Sequence, residues 1–219
     1  MLKKRSAFTL AEVLITLGII GIISVMVLPR MLRSMEDKVL ITQTKHFYSL
    51  MSQTTKTYMA NNGIYSLKNM IDCSQVRCTT DQKANTVQHM VETTLKVARK
   101  CERAKDCYTE VRIGDNAFIA IENMLHNSNA PAYALLDGYI VALSRESRND
   151  DIRLVVDVNG QDAPNKLGRD IWFMYIQNDG TIRTAGSGVT TSNASDCDTN
   201  YAVCFGNFIK SGYKLYTSK

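Results

Sequence analysis

Residues 1–29 read MLKKRSAFTLAEVLITLGIIGIISVMVLP, a short basic leader that runs into an apolar stretch whose only charged residue is Glu12. The 21 residues from Phe8 to Leu28, at about 1.5 Å each, reach roughly 32 Å as a helix, enough to cross the hydrocarbon core of a bilayer. A carboxylate near one end of such a helix costs on the order of 2.5 to 3.5 kcal/mol on insertion scales. Glu12 therefore needs a partner, and what supplies it decides what the segment is for.

A secretory signal peptide has a shorter apolar core followed by a small-residue cleavage site, and no A-x-A pattern comes after this run. A plain single-span anchor accounts for the length, and Lys3, Lys4 and Arg5 favour a cytoplasmic N-terminus. It leaves Glu12 unexplained. On the residues Lys3 to Pro29, KKRSAFTLAEVLITLGIIGIISVMVLP, the chain resembles the N-termini of type IV pilins and type II secretion pseudopilins. The resemblance implies cleavage by a prepilin peptidase between Ala7 and Phe8, methylation of the new amino terminus at Phe8, and an assembly role for Glu12. Pro29 falls where many such proteins carry a helix-loosening proline. Ala7 departs from the glycine usual before the cut, which implies slower processing.

The chemistry agrees with that resemblance. A cut before Phe8 creates a charged amine, and Glu12 lies one helical turn further on, within reach of that amine or of a neighbouring subunit's. Pairing across subunits neutralises the carboxylate and sets an axial register. The alternative is that Glu12 snorkels to the interface.

Without its leader the chain carries 23 basic against 21 acidic residues, a balance of +2, which gives no electrostatic reason to expect nucleic acid as a partner. The expected organisation is a leader over 1–7, a transmembrane and assembly helix over 8–29, an amphipathic continuation over 30–60, and an extracytoplasmic α+β domain over 61–219. Leu32, Met35, Val39, Phe47, Leu50, Met51, Thr54 and Tyr58 recur at helical spacing and read as a core-facing stripe. Pro29 removes one backbone hydrogen bond, so a kink or a short melted stretch is expected there. Asn61, Asn62 and Gly63 read as a helix stop.

A second helix is expected from about Ala84 to Lys100, with Val87, Val91, Leu95 and Ala98 on one face. Strands come next. Asp137-Gly138 sits between two apolar runs as a two-residue hairpin, Ile152 to Val158 reads as a strand, and Asn178-Asp179-Gly180 joins a second hairpin. Ala117 to Ile121 reads as a further strand or a short helix. Gly186 to Ser195 reads as a flexible loop. Helix first and antiparallel strands afterwards define an α+β fold with the sheet laid across the long helix, the pilin-like arrangement that the resemblance also implies.

Six cysteines fall as Cys73 and Cys78, Cys101 and Cys107, and Cys197 and Cys204. On the outer side of a membrane, close pairs fit three local disulfides, although spacing alone does not choose the pairing. Bridges of this size stiffen surface segments more than they brace a domain. Zinc is a poor rival, because no pair has C-x-x-C spacing and His46, His89 and His126 are scattered. Asp157 to Asp170, DVNGQDAPNKLGRD, resembles a stretch found in some pseudopilin-like proteins. Asp157, Asn159 and Asp162 are candidate ligands for Ca²⁺, although Gly168 stands where an EF-hand loop needs its bidentate Glu. Asn-Gly and Pro-Asn favour a structured turn instead.

The sequence has no G-x-S-x-G, P-loop, G-x-G-x-x-G or H-E-x-x-H pattern, so nothing motivates an enzyme. The expectation is a structural subunit at a bacterial inner membrane, single-pass with a cytoplasmic N-terminus and a periplasmic or extracellular domain. Its partners are the prepilin peptidase, other pilin or pseudopilin subunits and the inner-membrane assembly machinery. A minor pilin acting in binding, adhesion or DNA uptake is the alternative, and a membrane-anchored enzyme is a weaker one.

Overall fold

A computed structural model describes residues 9–73, 86–114, 117–145, 151–184, 197 and 200–216. The chain divides into two compact units, Met1–Val39 and Leu40–Lys219. Helix α1 spans Leu10–Asn61. In the first unit it is the one described element, and none of residues 9–39 is buried. Leu32, Met35 and Val39, expected to face a core, are each more than half exposed, because that unit offers no second layer to bury them. The helix is unbroken through Pro29, so no melted stretch interrupts it there: one missing N–H removes a single rung while the neighbouring rungs hold.

In the second unit, α1 buries Leu40, Thr44, Phe47, Met51, Thr54, Thr55 and Tyr58, a stripe at the helical repeat. The helix closes as its sequence predicts. Ile64 N–H donates to Met59 C=O at 3.0 Å and Gly63 N–H to Ala60 C=O at 3.3 Å, with Gly63 at φ +61°, the paired bonds of a Schellman cap.

Helix α2 spans Val87–Thr94, opened by Thr86, whose side chain accepts from the His89 N–H. It ends six residues earlier than expected, and Val97–Cys101 forms strand β1 instead. Thr93 and Thr94 turn their hydroxyls back onto the carbonyls of His89 and Met90, weakening the last turn. The next residues then pair with a neighbouring strand, and tertiary pairing overrides a weak helical pattern.

Strands β2 (Val111–Ile113) and β3 (Ala117–Ile119) form a small antiparallel hairpin, followed by α3 (Ile121–Leu125). Ala117 to Ile121 is thus both a strand and the start of a helix. Strands β4 (Ala132–Leu135), β5 (Ile140–Arg145), β6 (Ile152–Asp157), β7 (Ile171–Ile176) and β8 (Ile182–Arg183) complete an antiparallel sheet ordered β1-β4-β5-β6-β7-β8. A short 3₁₀ turn, Tyr201–Val203, leads into α4 (Cys204–Lys210). Both hairpins turn through three residues, one more than expected at Asp137-Gly138 and the expected Asn178-Asp179-Gly180 in the second. Leu135 N–H donates to Tyr139 C=O and Gly138 N–H to Leu135 C=O, and the same pattern links Gln177, Gly180 and Thr181. Gly138 and Gly180 take φ +88° and +77°, the left-handed residue that closes a type I turn with a bulge.

The sheet is covered on both faces. Phe47, Met51 and Tyr58 of α1 pack with Tyr133, Val141, Leu154, Trp172 and Met174. Ala132, Ala142, Val155, Phe173 and Tyr175 point the other way, into a second core with Cys107, Tyr108, Met124 and Cys204. This second layer explains why β6 and β7 are buried at every position rather than alternating.

Candidate functional site

The predicted processing junction, Ala7 and Phe8, lies outside the described residues. Immediately after it the helix start is built by two side chains. Thr9 N–H and Thr9 Oγ1 both donate to Glu12 Oε2 at 2.9 Å, and Glu12 N–H donates back to Thr9 Oγ1 at 3.3 Å. This reciprocal arrangement is a capping box, in which a threonine and the glutamate three residues later satisfy donors at the helix start. The acid that seemed to lack a partner has one in its own chain. Thr9 is a residue the sequence reading missed, although T-x-x-E is its signal; the capping pattern is masked by the apolar run that contains it.

Beyond Glu12 the helix is apolar and exposed on all sides as far as Leu28, with Leu14, Ile15, Leu17, Ile20 and Ile22 each about 60 % exposed. By length and composition it can cross a membrane. Such a surface is unstable in water and calls for lipid or for other helices. Pro29 sits inside the helix at the end of this stretch.

The structure pairs Cys101 with Cys107 and Cys197 with Cys204. Cys73 is disulfide-bonded, and Cys78 lies outside the described residues, as does the loop expected over Gly186 to Ser195. The described bridges are not surface staples: Cys107, Cys197 and Cys204 are almost fully buried and belong to the second core. Next to Cys73, buried Asp72 ties α2, β5 and the turn after α3 together. It accepts from Gln88 Nε2 at 2.7 Å, the Arg145 N–H at 3.0 Å and Asn127 Nδ2 at 3.4 Å.

The 157–170 loop turns its two buried aspartates onto its own backbone. Asp157, at the end of β6, accepts from the Asn159 N–H at 3.3 Å, and Asn159 Nδ2 donates to the carbonyls of Asp162 and Ala163. Asp170 accepts from the N–H groups of Asn165 and Lys166, both at 2.7 Å. Asp162 is exposed. Among the described residues no three His, Cys, Asp or Glu side chains group as a metal site, and Asp157 and Asn159 hold the turn through the bonds above. Burial, and then the charge of Asp170, push the Asp157 carboxyl up to about 8. Burial also raises Asp170, opposed by the Lys166 and Asn165 amides. Asp170, missed as a candidate, is the group that acts on Asp157; its position opposite follows from the β6–β7 pairing, which puts Asp157 across from Ile171.

Residues 2–28 match the prokaryotic N-terminal methylation motif. The chain therefore carries the signature of type IV pilins and pseudopilins over its membrane-crossing helix. No curated protein and no solved structure matches the chain. The motif supports a precursor of pilin type, implies processing by a prepilin peptidase and assembly with other pilins, and with the apolar helix fits a structural subunit anchored in the inner membrane.

Proposed function

We propose that this protein is the structural subunit of a type II secretion pseudopilus or a type IV pilus-like filament. The leader is cut between Ala7 and Phe8, the new Phe8 amine is methylated, and the helix from Phe8 onward anchors the subunit with its N-terminus cytoplasmic and its domain on the outer side. In the filament Glu12 exchanges its capping contact for the Phe8 amine of a neighbouring copy, and the domain with its disulfides forms the outside. The observation that supports this reading is the exposed apolar helix beginning at Leu10, which carries the matched motif at its head. In a filament the same surface is buried helix against helix.

The test is intact mass and N-terminal sequencing of the protein made with and without a prepilin peptidase, alongside recovery of sheared filaments. Loss of residues 1–7, gain of one methyl group and the protein in the sheared fraction are expected. A mature chain still beginning at Met1 would return the segment to an ordinary anchor. Its share of the sheared fraction separates a major subunit from a minor one.

A further inference from the structure

The Cys101–Cys107 and Cys197–Cys204 bridges close loops of almost equal size, with sequence separations of 6 and 7, so chain entropy does little to tell them apart. Their surroundings do. The Arg99 guanidinium Nη2 lies 3.8 Å from Cys107 Sγ, whereas the Asn200 carbonyl oxygen lies 3.9 Å from Cys204 Sγ. One bridge has a cation against its sulfur, the other the negative end of a dipole. Around the first loop, Lys100 pairs with Glu92 at 2.7 Å and Arg103 with Asp106 at 3.4 Å, and the exposed Glu102 and Lys105 are of opposite sign. Arg99 is the charge set against sulfur. The two cysteines of this bridge also differ. Cys107 is fully buried, while Cys101 keeps 7 % of its surface and ends β1, an edge strand of the sheet. An edge strand offers backbone beside the cysteine on which an incoming chain can align.

We infer that Cys101–Cys107 is a thiol-exchange site whose substrate is an external dithiol, and that Arg99 is the positioning residue for its leaving group. The inference stands apart from the filament reading. A thiolate of the dithiol attacks Cys101 Sγ, the Cys101–Cys107 bond breaks, and its electron pair leaves on Cys107 as a thiolate beside the guanidinium. The second thiolate of the dithiol then attacks the mixed disulfide and releases Cys101. The dithiol is oxidised by two electrons to its disulfide, the bridge is reduced by two, and the protons of the dithiol pass to solvent or to the new thiols. A neighbouring arginine lowers a thiol's pKa, and a thiol of lower pKa leaves faster. It also gives a buried thiolate the counter-charge without which its burial is costly. Ala104 and Cys107 both belong to the second core, so exchange here sets how firmly that layer is held.

The full chain in lipid nanodiscs, equilibrated at pH 8 in graded dithiothreitol redox buffers, alkylated and mapped by mass spectrometry, gives the reduced fraction of each bridge. Cys101–Cys107 is expected to open in more oxidising buffers than Cys197–Cys204. Arg99→Gln should make it about tenfold harder to reduce, equivalent to about 30 mV, while Arg99→Lys keeps the wild-type value and Cys197–Cys204 is unmoved in all three proteins. With glutathione as a single-thiol probe, an acid quench should trap the adduct on Cys101. Once reduced, Cys107 should alkylate at lower pH in the wild type than in Arg99→Gln. The inference is overturned if Cys197–Cys204 opens first, if Arg99→Gln leaves the potential and the alkylation profile unchanged, or if the adduct sits on Cys107. A shift shared by both bridges would equally overturn it, since Arg99 would then act on the fold rather than on one sulfur.

Discussion

Thr9 contributes to the helix start twice, as a backbone donor to Glu12 and as a hydroxyl that both donates to and accepts from the same residue. Replacing a capping threonine by an apolar residue costs about 1 kcal/mol. Thr9→Val should therefore fray the first turn, seen as faster amide exchange at residues 10–13 in lipid nanodiscs, whereas Thr9→Ser should keep its protection. Equal exchange in all three would show that the box does not hold the turn. Asp157 gives a second single-residue test, because its folded carboxyl sits near 8 against about 3.9 in an unfolded chain. Between those values the folded state holds a proton that the unfolded state has lost, so stability falls as pH rises from about 4 to 8. Asp157→Asn should flatten that fall and make the protein more stable than wild type at pH 8 by about 1–3 kcal/mol. Parallel curves for the two proteins would place the raised carboxyl elsewhere. The same melts run in calcium and in chelator should coincide, since backbone amides already hold both buried carboxylates. A rise specific to calcium would instead assign a cation to Asn159 Oδ1 and Asn165 Oδ1, which are buried without a hydrogen-bond partner.

At the scale of elements, what was legible in the sequence is what local chemistry decides. Asn61-Asn62-Gly63 ended the long helix, and two Asp-Gly pairs marked two hairpins, because a left-handed glycine is demanded by the chain's own geometry. The first loop was expected one residue too short, since Asp137-Gly138 alone does not show that the turn takes in Leu136 and closes with a bulge, whereas Asn178-Asp179-Gly180 marked the whole of the second. Val97–Cys101 was unreadable for the opposite reason: its strand state is conferred by Ala132–Leu135, more than thirty residues away. The two turn glycines also differ in a way only the fold reveals. An added Cβ at Gly138 meets nothing within 4 Å, while at Gly180 it comes within 2.7 Å of Met59 Sδ. Gly138→Ala should cost only the left-handed backbone penalty, about 1–2 kcal/mol. Gly180→Ala should cost more, because Met59 must also move, and thermal melts of the detergent-solubilised chain would rank them. A smaller loss at Gly180 would mean that Met59 yields freely.

Across the whole of the second unit, the sheet was expected from the sequence with one face on the long helix, and the layer on its other face was not. That layer is built from a 3₁₀ turn, a three-residue hairpin and short helices, none long enough to show a periodicity, and its anchors are cysteines and a tyrosine rather than an apolar stripe. Tyr108 donates to the carbonyls of Ile140 and Val155 at 2.7 and 2.9 Å, fixing the layer to neighbouring strands, and Gln161 Nε2 donates to Cys107 C=O at 2.7 Å. The disulfides therefore lie in the core on one face of the sheet, while α1, α2 and the aromatics of α4 cover the other. Loops of six to seven residues contribute on the order of 2 kcal/mol each through the entropy of the unfolded chain. Lost contacts, however, should concentrate where the cysteines are buried. On mild reduction, amide exchange should rise first in residues 101–125 and 200–208, while β5, β6 and β7, held by pairing on both sides and by the helix-facing core, stay protected. Uniform acceleration across the sheet would mean that the two cores melt as one body, and that the bridges stabilise the unit as a whole.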